Sequence, residues 1–433
     1  MSLLPPPVRA PGPAPDTCPV TAEGRSLPSS PFFTGALATL AVAVVVAHDR
    51  AVPLGHPLWG LFSNGLDLLV YRSGGATVLS SAGLYDHALY GGMWFTYPPF
   101  SAVLFAPLNL VGADMAGLLG YLANFVTLYL VVLLCWRQLG YRAGRHLYIV
   151  SALLTVIFSA LEPVRTTVWL GQVNLVLMLL VIWDLGRPEG SRLRGFGVGV
   201  ATGIKLTPGL FLVQLLITRQ WRAAVVAATT LLATVAVGFV VIFSDSKDYW
   251  TGVIVHSTRI GETAWPANQS ASGVLARWLD VAEPPRLLWL AVAGALTALG
   301  MGASYLAHRH GHALLSVTVC GLTTGAVSPF SWGHHWVWFV PMLVLAADWA
   351  LRNGRATAWL VPAALALPLL IWSHRFPDGV YAIGLFMIPT TTYLAPIFAA
   401  VYPLTFVAIA TTVVVALRRS PATEPPGQLR ELL

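Results

Sequence analysis

The chain has 433 residues, of which 56% are hydrophobic and 10% charged, and its mean hydropathy is +0.71. A soluble globular domain carries about 25% charged residues, so this composition excludes that class and describes an integral membrane protein. The formal charge of +7 sits mostly in short loops between apolar runs, where it sets membrane topology, and no nucleic-acid partner is expected.

Residues 1–31, rich in Pro, Ala, Gly and Ser, read as a disordered cytoplasmic tail, and residues 420–433 as a second one. The apolar stretch 32–47 begins too far into the chain for a usual signal peptide and reads as a first transmembrane helix. Further apolar runs follow at 118–136, 147–161, 223–243, 287–306, 337–350 and 405–417. Each approaches the ~20 residues that a helix needs to cross the hydrocarbon core. Lipid tolerates only helices and closed barrels, so residues 32–419 are expected to form one all-α, polytopic transmembrane bundle of about 10 to 12 spans. The three cysteines, Cys18, Cys135 and Cys320, lie far apart without a CxxC pair, which indicates neither a disulfide framework nor a zinc site.

Basic loops occur at Arg137/Arg142/Arg145, Arg187/Arg192/Arg194, Arg219/Arg222, His308/Arg309/His310, Arg352/Arg355 and Arg418/Arg419. If all are cytoplasmic, residues 196–217 enter and leave by one face. Gly203, Pro208 and Gly209 interrupt that segment as a re-entrant pair would be interrupted, an ordinary single span being the competing reading. The same orientation places four segments outside: 48–98 with Asp67; 162–174 with Glu162, Arg165, Gln172 and Asn174; 244–285 with Asn268 and Gln269; and 328–335 with His334 and His335. Polar groups collected at one end of a bundle mark a functional cavity.

Each group also has a bland reading. Asp67, alone among apolar residues, could cap a helix, and Glu162 and Arg165 could simply pair. Lys205, one of two lysines in the chain, must snorkel, pair or bind an anion. Asn268-Gln269-Ser270 is formally a glycosylation sequon or an ordinary polar loop. An aromatic belt accounts for Trp332, Trp336 and Trp338 but not for the paired imidazoles of His334 and His335, for which hydrogen-bonding or acid/base roles are preferred. A metal site would want more ligands nearby, so no metal is expected. No Walker loop, GxSxG elbow, HExxH or Asp-x-Asp occurs, which disfavours a nucleotide-activated donor.

Six segments, in this order and spacing, carry a resemblance: "GLDLLVY" at 65–71, "FTYPPF" at 95–100, "EPVRTTVWLGQVN" at 162–174, "GIKLTPG" at 203–209, "NQS" at 268–270 and "SPFSWGHHWVW" at 328–338. Together they resemble the actinobacterial members of glycosyltransferase family 87, polyprenol-phosphate-mannose-dependent α-1,2-mannosyltransferases, over about residues 32–419. The resemblance implies a C-type glycosyltransferase fold with a long first extracytoplasmic loop, and an active site on the extracytoplasmic face of the cell membrane. It implies a polyprenyl phosphate mannose donor, a mannosylated glycolipid or lipoglycan acceptor, the lipid bilayer as surroundings and no cofactor. A carboxylate in the first outer loop acts in the family's chemistry, and here that position is Asp67, the implied general base. By their placement on the same face, Arg165, His334, His335 and Lys205 are candidates to lie near the donor phosphate. Glu162, Gln172, Asn174, Asn268 and Gln269 are, on the same ground, candidate partners of sugar hydroxyls. Acceptor identity and donor sugar stay open, arabinose or glucose fitting the same polar set. A lipid-linked-sugar transporter or flippase is the alternative from another class, favoured by the break at Gly203–Gly209 and disfavoured by the lack of an internal repeat.

Overall fold

The computed structural model describes residues 24–80, 82–255, 259–390 and 392–419. The expected C-terminal tail and residues 1–23 of the expected N-terminal tail lie outside the described residues. Residues 24–31 are fastened to the protein: the Arg25 N–H donates to the Gly140 carbonyl at 2.9 Å and the Arg142 N–H to the Arg25 carbonyl at 2.8 Å.

Helix boundaries follow local chemistry. Helix α1 (Pro31–Ala51) opens on Ser30, whose hydroxyl accepts the Phe33 N–H at 3.1 Å, with Pro31 at the first helical position. Helix α2 (Leu66–Ser80) precedes α3 (Pro99–Phe105), which starts on a proline pair. The apolar helices α4 (Ala113–Gln138) and α5 (Arg145–Phe158) lead to α6 (Glu162–Leu170), which has Pro163 in its first turn and ends on Gly171 at φ +67°. Helix α7 (Asn174–Leu185) leaves α6 at 116°. Helices α8 (Phe196–Ile204) and α9 (Leu210–Ile217) are separated at Lys205-Leu206 and a 3-10 turn over Thr207–Gly209, where Pro208 cannot continue a helical ladder. There follow α10 (Trp221–Val241), α11 (Phe243–Thr251), α12 (Ala271–Trp278), α13 (Arg286–Arg309), α14 (Ala313–Val327), α15 (Phe339–Asn353), α16 (Leu360–Ala366), α17 (Ala395–Ala399) and α18 (Val401–Arg419). Among the described residues one antiparallel hairpin breaks the all-helical pattern, β1 (Ser373–Arg375) with β2 (Tyr381–Ile383), in the register Ser373–Ile383 and Arg375–Tyr381.

The protein is an all-α membrane protein. Among the described residues, helices α1, α4, α10, α13 and α18 are long and apolar enough to cross a bilayer, and the bent pair α6–α7 has that length and apolarity only when its two halves are taken together. The expected 10 to 12 spans therefore do not appear as whole helices. Apolar runs interrupted by Pro, Gly or polar residues fold instead into shorter helices such as α5 and α14. The expected interruption of 196–217 is present at Lys205–Gly209, and a sharp bend that the sequence did not announce lies at Gly171–Val173.

Helix α14 is buried on every side from Ser316 to Ala326 and lies at the centre, packed between α13, α15, α18, α9 and α7. Helices α1, α10 and α13 turn Val42, Val46, Val225, Leu232 and Leu287 outward, the face that acyl chains cover. Inside, Gln214 of α9 donates to Ser304 of α13 and Ser316 of α14 at 3.1 and 2.8 Å, an interhelical polar contact of the kind that joins helices in lipid.

Candidate active site

Four interrupted elements meet: the start of α2, the α6–α7 corner, the α8–α9 break and a 3-10 turn over Gly333–Trp336. Helix α2 begins where the Asn64 side chain accepts the Leu66 N–H at 2.9 Å and Gly65, at φ +63°, donates its N–H to the Trp169 carbonyl at 2.8 Å. This turn puts Asp67 in the first turn of α2, against the corner. A Cβ on Gly171 would stand 2.7 Å from the Leu68 Cβ, so that glycine serves both the left-handed backbone and the close approach of α2.

Around Asp67 the groups interlock. The Gln172 amide nitrogen donates to Asp67 Oδ2 at 2.9 Å, and it lies 3.1 Å from the Tyr97 hydroxyl and 3.5 Å from His334 Nε2. The amide oxygen of Gln172 accepts from the Tyr71 hydroxyl and, at 2.9 Å, from the Val173 N–H. Asn174 donates from its amide to the His334 carbonyl at 2.9 Å. Its amide oxygen accepts from Lys205 Nζ at 3.0 Å, and the same ammonium reaches His335 Nε2 at 2.9 Å. A charged lysine only donates, so His335 Nε2 is the acceptor and the imidazole proton sits on Nδ1. Lys205 also lies 5.4 Å from the centre of the Tyr97 ring, and the two imidazoles stand edge to face at 4.8 Å.

Asp67 is half-buried, and loss of water pushes its carboxyl up to about 6; the Lys205 charge and the Gln172 hydrogen bond pull it back down. Oδ2 is engaged, while Oδ1 has no hydrogen-bond partner among the described residues. The arrangement presents one free carboxylate oxygen beside a cation and two imidazoles. That set can take a proton from a hydroxyl and hold an anion close by. A small cavity lined by Asn174, Thr207, Pro208, Thr324, His335 and Trp338 opens behind the lysine.

Of the residues singled out from sequence, the structure brings together Asp67, Gln172, Asn174, Lys205, His334 and His335. Glu162 is turned to another set of partners. Its carboxylate accepts from the Tyr402 hydroxyl at 2.6 Å and from Thr166 at 2.8 Å, and it lies against the backbone of Gly333. Arg165, fully buried, donates to the Trp59 carbonyl and stacks over Trp169 at 5.2 Å. Among the described residues no ion pair within 4 Å joins Glu162 to Arg165.

Asn268 and Gln269 do not enter the cluster. The Asn268 amide oxygen accepts the Ser270 and Ser331 N–H groups at 3.2 and 3.0 Å, and its nitrogen donates to the Thr263 carbonyl at 2.9 Å. Gln269 donates to the Pro266 and Ala399 carbonyls, both at 3.0 Å. Both side chains clamp the 263–270 loop to the histidine segment and the start of α18.

Three tyrosines escaped the sequence reading: Tyr71, Tyr97 and Tyr402. Tyr71 follows Asp67 by four residues, one helical turn on the same face, which was the available signal. Among the described residues no group of three or more His, Cys, Asp or Glu is arranged to hold a metal ion.

An apolar helical bundle that converges a carboxylate, a lysine and two histidines on its helix breaks defines a membrane protein with an internal polar site. The sequence matches glycosyltransferase family 87 over residues 95–329. It is 34% identical over 345 residues to the polyprenol-phosphate-mannose-dependent alpha-(1-2)-phosphatidylinositol mannoside mannosyltransferase of Mycolicibacterium smegmatis, covering 74% of this chain and 78% of that one. It is 35% identical over 323 residues to the polyprenol-phosphate-mannose-dependent alpha-(1-2)-phosphatidylinositol pentamannoside mannosyltransferase of Mycobacterium tuberculosis, covering 71% of this chain and 73% of that one. No solved structure matches the chain. The chain belongs to glycosyltransferase family 87.

Proposed function

We propose that the protein transfers mannose from polyprenyl phosphate mannose to a hydroxyl of a phosphatidylinositol mannoside, forming an α-1,2 linkage. The activities for which two relatives are named, each about a third identical over most of this chain, support the donor, the acceptor class and the linkage. The observation that carries the chemistry is the half-buried Asp67, with Oδ2 held by Gln172 and Oδ1 without a hydrogen-bond partner among the described residues.

Inversion of a β-linked donor to an α-linked product needs one direct displacement through an oxocarbenium-like state. In this reading Asp67 Oδ1 takes the proton of the acceptor hydroxyl as the bond to the anomeric carbon forms and the bond to the phosphate oxygen breaks. Polyprenyl phosphate leaves as a stable anion, so no general acid is required. Lys205 with His334 and His335 supplies the positive charge and donors beside the phosphate. Asn174 holds Lys205 and, through the His334 carbonyl, the histidine turn. No metal or other cofactor enters this scheme. Glu162, Asn268 and Gln269, fully occupied by protein partners, take positioning roles in place of the sugar contacts expected of them; Arg165, held beneath the 52–62 loop, does the same.

The site faces the extracytoplasmic side of the cell membrane in this proposal, because the basic loops are assigned to the cytoplasm and the site segments lie between them on the other side. A C-type glycosyltransferase architecture of 10 to 12 crossings, with residues 48–98 as a long first extracytoplasmic loop, would count the short helices as partial or paired crossings. The test uses membranes containing the protein or its Asp67→Asn form, incubated with radiolabelled polyprenyl phosphate mannose and a panel of mannosylated lipids. Transfer dependent on Asp67 is expected; transfer to none of them by the intact, inserted protein would overturn the proposal.

A further inference from the structure

The Gln172 amide leaves no freedom in its orientation. A backbone N–H, that of Val173, can only donate, so the atom 2.9 Å from it is the amide oxygen and the nitrogen must face Asp67. The Tyr71 hydroxyl also points at that oxygen, and having one proton it must give it there. The 3.0 Å contact between the Tyr71 and Tyr97 hydroxyls is then donated by Tyr97. Tyr97 in turn accepts from the second Gln172 N–H at 3.1 Å, a proton shared with His334 Nε2 at 3.5 Å. The circuit closes: Tyr97 to Tyr71, Tyr71 to Gln172, and Gln172 back to Tyr97 and out to Asp67. Apart from the Gln172 N–H shared between Tyr97 and His334, every proton in it has one destination, and all three side chains are buried.

We propose that Tyr71 is a positioning residue, which acts through Gln172 to fix the aspartate that takes the acceptor's proton. The proposal rests on the reading of Asp67 as the general base. A neutral amide suits this task because it stabilises the carboxylate form while adding no charge that would compete with Lys205. Tyr71 sits one turn after Asp67 on α2, so the helix sets the spacing between the base and the group that orients its partner.

Other groups around Asp67 act separately. Arg72 of α2 donates to the Val111 carbonyl, Asp114 opens α4, and Tyr121 of α4 approaches Gly65. Glu162 and Arg165 of α6 engage Tyr402 and Trp59, leaving Lys205, Tyr71, Tyr97, His334 and His335 as the titratable groups at the carboxylate's own cluster.

The experiment measures kcat and KM for mannosyl transfer between about pH 5 and 8.5 for the full-length protein in lipid nanodiscs, as wild type, Tyr71→Phe, Gln172→Leu and Asp67→Asn. Tyr71→Phe removes one of the two donors that hold the amide oxygen, which loosens the bond of the amide to the carboxylate and raises the aspartate's proton affinity. The expected result is an acid limb of kcat/KM moved up by about half a pH unit or more, kcat lower by about tenfold, and KM for the donor little changed. Gln172→Leu is expected to move the limb further in the same direction.

An acid limb superimposed on that of the wild type in both variants, with folded protein recovered normally, would overturn the proposal. Loss of folding from Tyr71→Phe alone, an isosteric change of one hydroxyl, would assign that hydroxyl to the fold and overturn it equally. Turnover retained by Asp67→Asn would refute the base assignment itself. Turnover lost in Asp67→Asn with an unmoved limb in Tyr71→Phe would refute only the role of the tyrosine.

Discussion

Asp67 carries the sharpest residue-scale consequences. Removing a general base costs about 10²- to 10⁴-fold in rate, so Asp67→Asn is expected to lower kcat by at least ~100-fold while the protein still inserts and is recovered folded. The carboxyl must be ionised to act as a base, and burial holds it at about 6, so activity should fall about tenfold per unit below that pH. An acid limb near pH 4, where an ordinary aspartate titrates, would contradict the environment described for this one. The residue was visible in the sequence because a carboxylate among apolar neighbours demands a reason. Gln172, Lys205 and the two histidines were placed on the same face, but their pairing was not legible, since Gln172 lies 105 positions away and only the α6–α7 corner brings it near. Asn268 and Gln269 were read as site residues from their outer-face placement and the "NQS" segment, whereas their bonds join loops far apart in sequence, which no local pattern records.

Among elements, the turn carrying the two histidines depends on a contact between segments 240 residues apart. Glu162 opens α6, Tyr402 belongs to α18, and between them the Glu162 carboxylate lies against Gly333. A Cβ at Gly333 would overlap both carboxylate oxygens, so Gly333→Ala must push the turn or the carboxylate aside. Tyr402→Phe keeps the ring packed on Trp336, Phe339 and Phe386 but leaves the buried carboxylate without one donor, at a cost of about 1–3 kcal/mol. Both variants are expected to lower the thermal unfolding midpoint in detergent and to reduce transfer, whereas Gly117→Ala in α4, where a Cβ meets nothing within 4 Å, should change neither. An unchanged midpoint in both Tyr402→Phe and Gly333→Ala would show that the contact does not hold the turn. Element type was readable from the apolar runs and their Pro and Gly interruptions. The corner at Gly171 was not, because a left-handed glycine looks alike in sequence whether it ends a helix or turns the chain through 116°.

At the scale of the whole molecule the question is which side of the bilayer the site faces, and α10 offers a direct way to ask. Its 21 residues rise about 32 Å at 1.5 Å each, close to the ~30 Å hydrocarbon thickness, so its two ends emerge on opposite faces. Arg222 lies in its first turn, within a basic loop that the excess of positive charge assigns to the cytoplasm in the proposed orientation. Beyond its other end the chain reaches Glu262 and then Asn268, whose side chain is bonded to Ser331 two residues before the histidine turn. Glu262 therefore reports the face of the site and Arg222 the opposite one, and both are exposed. In a Cys18→Ser background the remaining cysteines, Cys135 and Cys320, are buried and free, so single cysteines placed by Glu262→Cys and Arg222→Cys can be read separately. A membrane-impermeant maleimide added to intact cells is expected to label the first at once and the second only after permeabilisation. The reverse order would place the site in the cytoplasm. It would then require a donor presented from that side, since a mannosyl phosphate cannot cross the hydrocarbon core unaided.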